Sequence, residues 1–242
     1  MLDWVEHVFE NEGMLDVAVR RLDGSTAVDL TRRVAPALPI HPALSPLLPD
    51  GIRRGSTVSV SGSVSLLLAL ISAASAEGAW CALVGLPTIS AEAAAEYGLD
   101  LQRLAIVPQP GASWTTAVGA LLDAVDIVAL RPPARAVPGD VRRLAARARN
   151  RDAVLMPYQP GTAVHDETWP AADVRLSAQG GRWTGIGAGY GRLRQRRLTV
   201  TAEGRGSAAR SRSSTLWLPA AGGGVGTYEP VAPVLDLTAR AG

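Results

Sequence analysis

The chain has 242 residues, of which 47% are hydrophobic and 19% are charged, and its formal net charge is +2. These values fit one globular domain with short appendages, and they exclude both disorder throughout the chain and two large domains. All 24 basic residues are arginines. A chain without lysine has neither a Schiff-base lysine nor the lysine that grips phosphate in a P-loop.

The sequence is poor in residues that bind metals, act as nucleophiles or direct export. Three histidines and one cysteine are too few to form a metal cluster or a cysteine–histidine pair. The apolar run around Cys81 indicates a buried thiol in a reducing compartment. Five acids precede the first arginine, the opposite of a signal peptide, so we expect a cytoplasmic location. Residues 55–76 are uncharged, but their serines and glycines favour a strand and a helix over a membrane span.

Strands and helices alternate along most of the chain, in the following order. Residues 1–43 are predicted to be an N-terminal segment with a proline-rich lead-in. Strands are then predicted at residues 58–60, 80–84, 104–107, 126–130 and 154–158, and helices at residues 66–77, 91–97, 114–124 and 139–150. This alternation of helices with short apolar strands predicts an α/β fold, with a mostly parallel sheet and helices on both faces.

The pattern changes after Trp169 to strands separated by glycine turns. These strands are predicted at residues 173–177, 182–186, 192–202 and 214–218, as an antiparallel extension of the sheet. Six glycines in residues 180–191 lack the strand-to-helix context of a phosphate-binding loop and favour a hairpin with bulges. Residues 44–218 are therefore assigned to the domain and residues 219–242 to a flexible tail.

Over residues 44–218 the order of elements resembles the RecA-like ATPase core. The segments similar to that family are LLPDGIRRGSTVSVSG at the P-loop strand, EYGLDLQRLAIVPQP at the third strand, VDIVAL at the Walker B strand, and AVLMPYQ at the strand that ends in a nucleotide-sensing glutamine. The resemblance implies a RecA-like fold, with Gln159 at the position of that glutamine.

The sequence departs from the family at each place where the family handles nucleotide. A working P-loop reads GxxxxGK[ST], and its glycines let backbone N–H groups surround phosphate. The corresponding segment lacks the second glycine and the lysine, and consists of Ser61, Gly62, Ser63, Val64, Ser65 and Leu66. The resemblance implies that Leu86 replaces the catalytic glutamate and Arg131 the Walker B aspartate. Replacing a carboxylate by a cation turns attraction for a metal into repulsion of about 4 kcal/mol at about 4 Å. We therefore expect no catalysis, no cofactor and no metal.

Arginines concentrate in the C-terminal third of the chain. Residues 175–212 contain nine arginines and one acid, a local net charge of +8. Strand alternation predicts that the guanidinium groups of Arg192, Arg194 and Arg196 share one face of a strand, about 7 Å apart, a spacing suited to phosphates. The candidates for contact with nucleic acid or a partner are Arg192, Arg194, Arg196 and Arg197. A merely solvated face remains the alternative.

Two further features are candidates for partner binding. Trp114 lies at the start of a predicted helix, and tryptophan is enriched at interaction hot spots. Residues 231–237 are apolar between flexible neighbours and suit a docking peptide.

The lead-in LPIHPALSPLLPDGIRRGS and the ending GRLRQRRLTVTAEGRG…TLWLP resemble the ImuA′ family of actinobacterial mutasome proteins, a degenerate RecA-like branch. That resemblance implies a non-catalytic role in SOS-induced translesion synthesis and mutagenesis. The implied partner is ImuB, an inactive Y-family polymerase-like hub, and through it a DnaE-type polymerase and the sliding clamp. Two other hypotheses stay open: a SulA-like inhibitor of cell division, and an arginine-rich RecA paralogue that binds single-stranded nucleic acid. No membrane partner is expected.

Overall fold

A computed structural model of the chain describes residues 36–134, 136–161, 169, 172–187, 190–205 and 209–229. Within them, the helices of more than one turn are α1 (Val64–Ala76), α2 (Ala91–Glu96), α3 (Trp114–Ala124) and α4 (Pro138–Asn150). The strands are β1 (Val58–Ser61), β2 (Cys81–Val84), β3 (Leu104–Val107), β4 (Ile127–Leu130), β5 (Val154–Gln159), β6 (Val174–Gly187), β7 (Tyr190–Gly204), β8 (Arg212–Trp217) and β9 (Gly226–Thr227).

These strands form one sheet in the order β3-β2-β4-β5-β1-β6-β7-β8-β9. The strands from β3 to β6 in this order are parallel, and β7, β8 and β9 then add antiparallel pairs. The expected α/β sheet with an antiparallel C-terminal extension is confirmed. Parallel strands bring their carboxyl ends to one edge of a sheet, and that edge is the relevant one for the candidate site.

Helices cover both faces of the parallel part of the sheet. Cys81 and Leu83 face a core that contains the buried leucines of α1, whereas Ala82 and Val84 face a second core with α3 and α4. Such strands are apolar on both faces, which is why their sequences are continuous apolar runs. The two cores together hold the sheet between two helical layers.

The helix ends follow from local chemistry. The Ser63 hydroxyl accepts a hydrogen bond from the Leu66 N–H at 3.4 Å and caps α1, and Ser90 caps α2 in the same way. Helix α4 begins at Pro138, has Asp140 in its first turn, and carries arginines in its last turn. This arrangement suits the fixed φ of proline and the dipole of the helix.

Two predicted boundaries differ from the structure. The strands predicted at residues 173–177 and 182–186 are parts of the single strand β6, which begins at Val174. Gly180 and Gly181 form a bulge in this strand and not a turn between two strands. Residues 219–229, which were assigned to the tail, include strand β9 paired with β8, and the Tyr228 ring meets Trp217 edge-on at 5.5 Å. Residues 1–35 and 230–242 lie outside the described residues.

None of the helices that the structure describes has both the length and the apolar composition needed to cross a bilayer. The uncharged residues 55–76 are divided between β1 and α1, as the sequence predicts.

Candidate functional site

The positions singled out for nucleotide chemistry lie together at the carboxyl edge of the parallel strands. Gly62 follows β1, Leu86 lies two residues beyond β2, Arg131 follows β4, and Gln159 ends β5. These four strands are neighbours in the order β2-β4-β5-β1, and Ser61 is paired with Gln159. The sheet therefore assembles, in one place, the residues that the resemblance assigned to a degenerate nucleotide site.

The connection from β1 to α1 is a turn of two residues, Gly62 and Ser63. The Gly62 N–H donates to the Gln159 carbonyl at 3.1 Å. The φ angle of Gly62 is +87°, and a Cβ built there would lie 2.2 Å from the Ala178 carbonyl oxygen. The turn is therefore packed against β5 and β6, with the N–H of Gly62 already used within the sheet.

Two leucines at this edge, Leu66 and Leu86, are buried in the core. Leu66 is 0% exposed and Leu86 is 3% exposed, and both belong to the core that covers α1. Val64 and Ser65 are partly exposed. A phosphate cradle needs several unpaired N–H groups around an open loop, whereas this turn has a main chain that packs directly on its neighbours.

Cationic side chains border this edge of the sheet. Arg131 is exposed, and its N–H donates to the Val84 carbonyl at 2.9 Å. Burial raises the pKa of the Tyr158 hydroxyl, and the positive charges of Arg131 and Arg196 partly oppose this rise. Among the described residues, no three histidine, cysteine or carboxylate side chains lie close enough together to hold a metal ion.

Arg196 and Arg197, two of the four candidate arginines, are engaged within the fold. The guanidinium of Arg196 lies 5.8 Å from the ring centroid of Trp183 and 3.5 Å from the Gly180 carbonyl oxygen. Arg197 donates to the Tyr228 hydroxyl at 3.0 Å. Both side chains are half-buried, and Arg196, one of the three arginines predicted to share a strand face, lies against Trp183 and Gly180.

Arg192 and Arg194 are exposed near the tip of the β6–β7 hairpin. The strand alternation that was predicted for them is interrupted, because the pairing shifts between Thr184 and Ile186 of β6. Arg192 and Arg194 therefore lie within the irregular stretch opposite Gly185, whereas Arg196 is in regular pairing with Trp183. As candidates for nucleic acid or partner contact they remain predictions.

Trp114, the first residue of α3, is partly buried against the core on the α3–α4 side of the sheet. Its ring thus has a structural role, and its part in partner binding remains a prediction. The docking peptide predicted at residues 231–237 lies outside the described residues.

Sequence reasoning missed two aromatic residues of the β6–β7 hairpin. Trp183 is 41% exposed and Tyr190 is 77% exposed. It also missed Tyr228, which fixes Arg197. Local sequence gave no signal for Trp183, because its place opposite Arg196 depends on the register of the hairpin.

Comparison with known proteins supports the fold. Residues 46–165 match the family model described as the MT3502 N-terminal domain. The chain is 35% identical over 137 residues to the uncharacterized protein Rv3395c of Mycobacterium tuberculosis, and the match covers 56% of this chain and 64% of that protein. The chain thus spans slightly less than two thirds of this relative.

A crystal structure of the RadB recombinase is similar to this chain with a TM-score of 0.58 and 13% sequence identity, covering 78% of this chain and 97% of that one. At this identity the similarity speaks for the fold alone. Together with the order of strands at the carboxyl edge, it shows that the chain has a RecA-like fold.

Proposed function

We propose that the protein is a non-catalytic RecA-like accessory factor of DNA-damage-induced translesion synthesis. It acts by binding an ImuB-like inactive Y-family polymerase and thereby supports an error-prone DnaE-type polymerase at the sliding clamp. The RecA-like fold and the similarity to the Mycobacterium tuberculosis relative support a RecA-like accessory role. The specific partner rests on the resemblance of the lead-in and of the C-terminal arginine-rich segment to the ImuA′ family.

One observation carries the non-catalytic part of the proposal. Only Gly62 and Ser63 separate β1 from α1, and the Gly62 N–H is bonded to Gln159. Phosphate binding by a P-loop depends on a longer loop whose N–H groups point at the ligand. Opening such a loop here would expose Leu66, which is fully buried, and would break the packing of Gly62 on Ala178.

The charge at the same edge favours the same conclusion. Arg131 follows β4, where a metal–nucleotide complex needs a carboxylate, and Leu86 contributes no oxygen ligand beyond β2. Hard cations such as Mg²⁺ require oxygen ligands. The residues at this carboxyl edge therefore favour a role in binding other proteins over hydrolysis of nucleotide.

The proposal is tested by co-expressing the full chain with an ImuB-like protein, followed by size-exclusion chromatography and crosslinking. We expect a stable complex that does not require ATP. Deleting residues 230–242 keeps β9 and Tyr228, so this deletion probes the predicted docking peptide without removing any strand that the structure describes. Ala117→Arg places a charge on the same face of α3 as Trp114, three residues further along the helix and at a partly exposed position.

Each variant is compared with the unaltered chain for melting temperature, and Arg142→Ala on the exposed surface of α4 is the matched control. The proposal predicts that the deletion or Ala117→Arg weakens the complex while the control does not. Absence of a complex with the ImuB-like protein contradicts the proposal. Recovery of a cell-division GTPase in its place would favour the SulA-like alternative.

A further inference from the structure

The β6–β7 hairpin extends beyond the sheet at the carboxyl edge. Strand β6 is parallel to β1, and Ser177 is paired with Ser61, the last residue of β1. The ten residues that follow in β6 continue past the end of β1, a length of about 30 Å at roughly 3.3 Å per residue. We call residues 182–187 and 190–195 the hairpin arm.

The hairpin arm is basic and carries no acid to balance its charge. The sequence contains no aspartate or glutamate from residue 174 to residue 202. Arg182, Arg192 and Arg194 are exposed, and none of them has a hydrogen bond or ion pair to any residue that the structure describes. Their positive charges are therefore available to an external anion.

The same arm exposes rings and aliphatic groups. Tyr190 is 77% exposed at the tip, Trp183 is 41% exposed, and Ile186 and Leu193 are more than half exposed. The guanidinium of Arg196 lies over the Trp183 ring and supports the indole from within the fold. Single-stranded nucleic acids bind to surfaces of this kind. Their bases stack on exposed aromatic rings, and positively charged side chains neutralise their phosphates.

Close packing of the two strands fixes the shape of the arm. A Cβ at Gly185 would lie 2.2 Å from the Arg192 carbonyl oxygen, and one at Gly191 would lie 2.4 Å from the Gly185 carbonyl oxygen. These glycines therefore allow the two backbones to approach closely at the irregular stretch of the hairpin that carries Arg192 and Arg194. The arm thus presents its side chains from a defined backbone.

We propose that the hairpin arm binds single-stranded nucleic acid without reading its sequence, with Tyr190 and Trp183 as stacking platforms and Arg182, Arg192 and Arg194 on the phosphates. An unpaired strand is favoured over a duplex because its bases are free to stack on side-chain rings. It is favoured over a protein partner because three arginines with no ion pair to a described residue, in a stretch of sequence without acids, suit a regularly charged backbone. This site goes beyond the proposed function, which concerns a protein hub.

The test measures binding of the full chain to a fluorescein-labelled oligothymidine about 25 nucleotides long, by anisotropy over a range of salt concentrations. Oligouridine of the same length distinguishes RNA from DNA as the source of the strand, and a duplex is run in parallel. The double variant Arg192→Ala, Arg194→Ala should reduce the slope of log K against log salt by about 1.4, since each phosphate contact to a single strand contributes about 0.7. Tyr190→Ala should weaken binding roughly 5- to 150-fold through lost stacking.

The matched control is the double variant Arg142→Ala, Arg149→Ala, which removes the same charge from exposed positions of α4. It should retain the salt slope of the unaltered chain. Binding that is unaffected by the arm variants, that responds equally to the α4 control, or that is tighter for duplex overturns the proposal. The proposal is also overturned if the chain binds no oligonucleotide and the arm variants instead abolish capture of an ImuB-like protein. If only the complex with the ImuB-like protein fails to form, the expected affinity of the arm for oligonucleotide is unchanged.

Discussion

Gly62 packs so closely on Ala178 that a Cβ at Gly62 would lie 2.2 Å from the Ala178 carbonyl oxygen. This contact joins the turn after β1 to β6, at the position that the resemblance assigns to the P-loop. The φ angle of Gly62 is +87°, a region that L-residues rarely adopt.

Gly62→Ala is therefore expected to destabilise the protein through both backbone strain and steric overlap. The strain alone costs about 1–3 kcal/mol, and displacement of β6 adds to it. The matched control is Gly98→Ala, because Gly98 has a φ of +84° but nothing within 4 Å of the position of its Cβ. Urea unfolding should show a larger loss of stability for Gly62→Ala than for Gly98→Ala. Equal losses would show that the close contact with Ala178 does not exist in solution.

Cys81 provides a second test, this time of the core. The side chain is fully buried, and burial raises the pKa of its thiol to about 12. Because only the thiolate reacts, Cys81 should resist Ellman's reagent at pH 8 in the native protein and react fully in concentrated guanidinium chloride. Rapid stoichiometric reaction of the native protein would contradict the placement of β2 between two helical layers.

Asp123 connects α3 to α4 through Arg147 and Arg151, whose Nε atoms each lie 2.9 Å from Asp123 Oδ1. The hydrogen bond from Arg147, together with both positive charges, lowers the pKa of Asp123 to about 2. A lowered pKa stabilises the fold above the ordinary value near 3.8, and the contribution disappears as the pH falls through about 2. Asp123→Asn should therefore lower the melting temperature by a few degrees at pH 6 and by much less near pH 2.

The control for Asp123 is Asp50→Asn, since Asp50 is exposed and has no hydrogen bond or ion pair to the residues that the structure describes. It should show little difference at either pH. A pH-independent effect of Asp123→Asn would mean that the two arginines do not act on this carboxylate.

Tyr228 tests the edge of the sheet beyond β8. Its ring meets Trp217 edge-on at 5.5 Å and lies 5.1 Å from the guanidinium carbon of Arg197, and its hydroxyl accepts a hydrogen bond from Arg197. Losing these contacts in Tyr228→Ala should cost about 1–3 kcal/mol. Deletion of residues 230–242 should cost far less. If both changes leave the urea midpoint unaltered, residues 219–229 belong to the flexible tail after all.

The sequence was sufficient for most of the parallel part of the fold. Strands β2 and β4 are continuous apolar runs, and α1, α2 and α4 begin at a capping serine or at a proline. The boundaries at 104–107 and 114–124 agree with β3 and α3 to the residue. The grouping of Gly62, Leu86, Arg131 and Gln159 at the carboxyl edge also followed from the order of strands in the sequence, because the carboxyl ends of parallel strands lie at the same edge of a sheet.

The antiparallel part was less predictable. Gly180 and Gly181 have the composition of a turn, but the cross-strand partners of β7 make them a bulge, and local sequence carries no signal of those partners. The inward packing of Arg196 depends on Gly181, where a Cβ would lie 2.6 Å from Nε of that arginine. A contact between residues fifteen apart in sequence becomes visible only when the register of the hairpin is known.

Calorimetric titration of the full chain with Mg-ATP shows whether the turn after β1 can bind nucleotide. We expect no saturable heat at millimolar nucleotide, because only Gly62 and Ser63 connect Ser61 to Val64 and they form no open loop to receive phosphate. A tight, saturable Mg-ATP complex that is weakened by substitutions at Ser63 or Ser65 would contradict it.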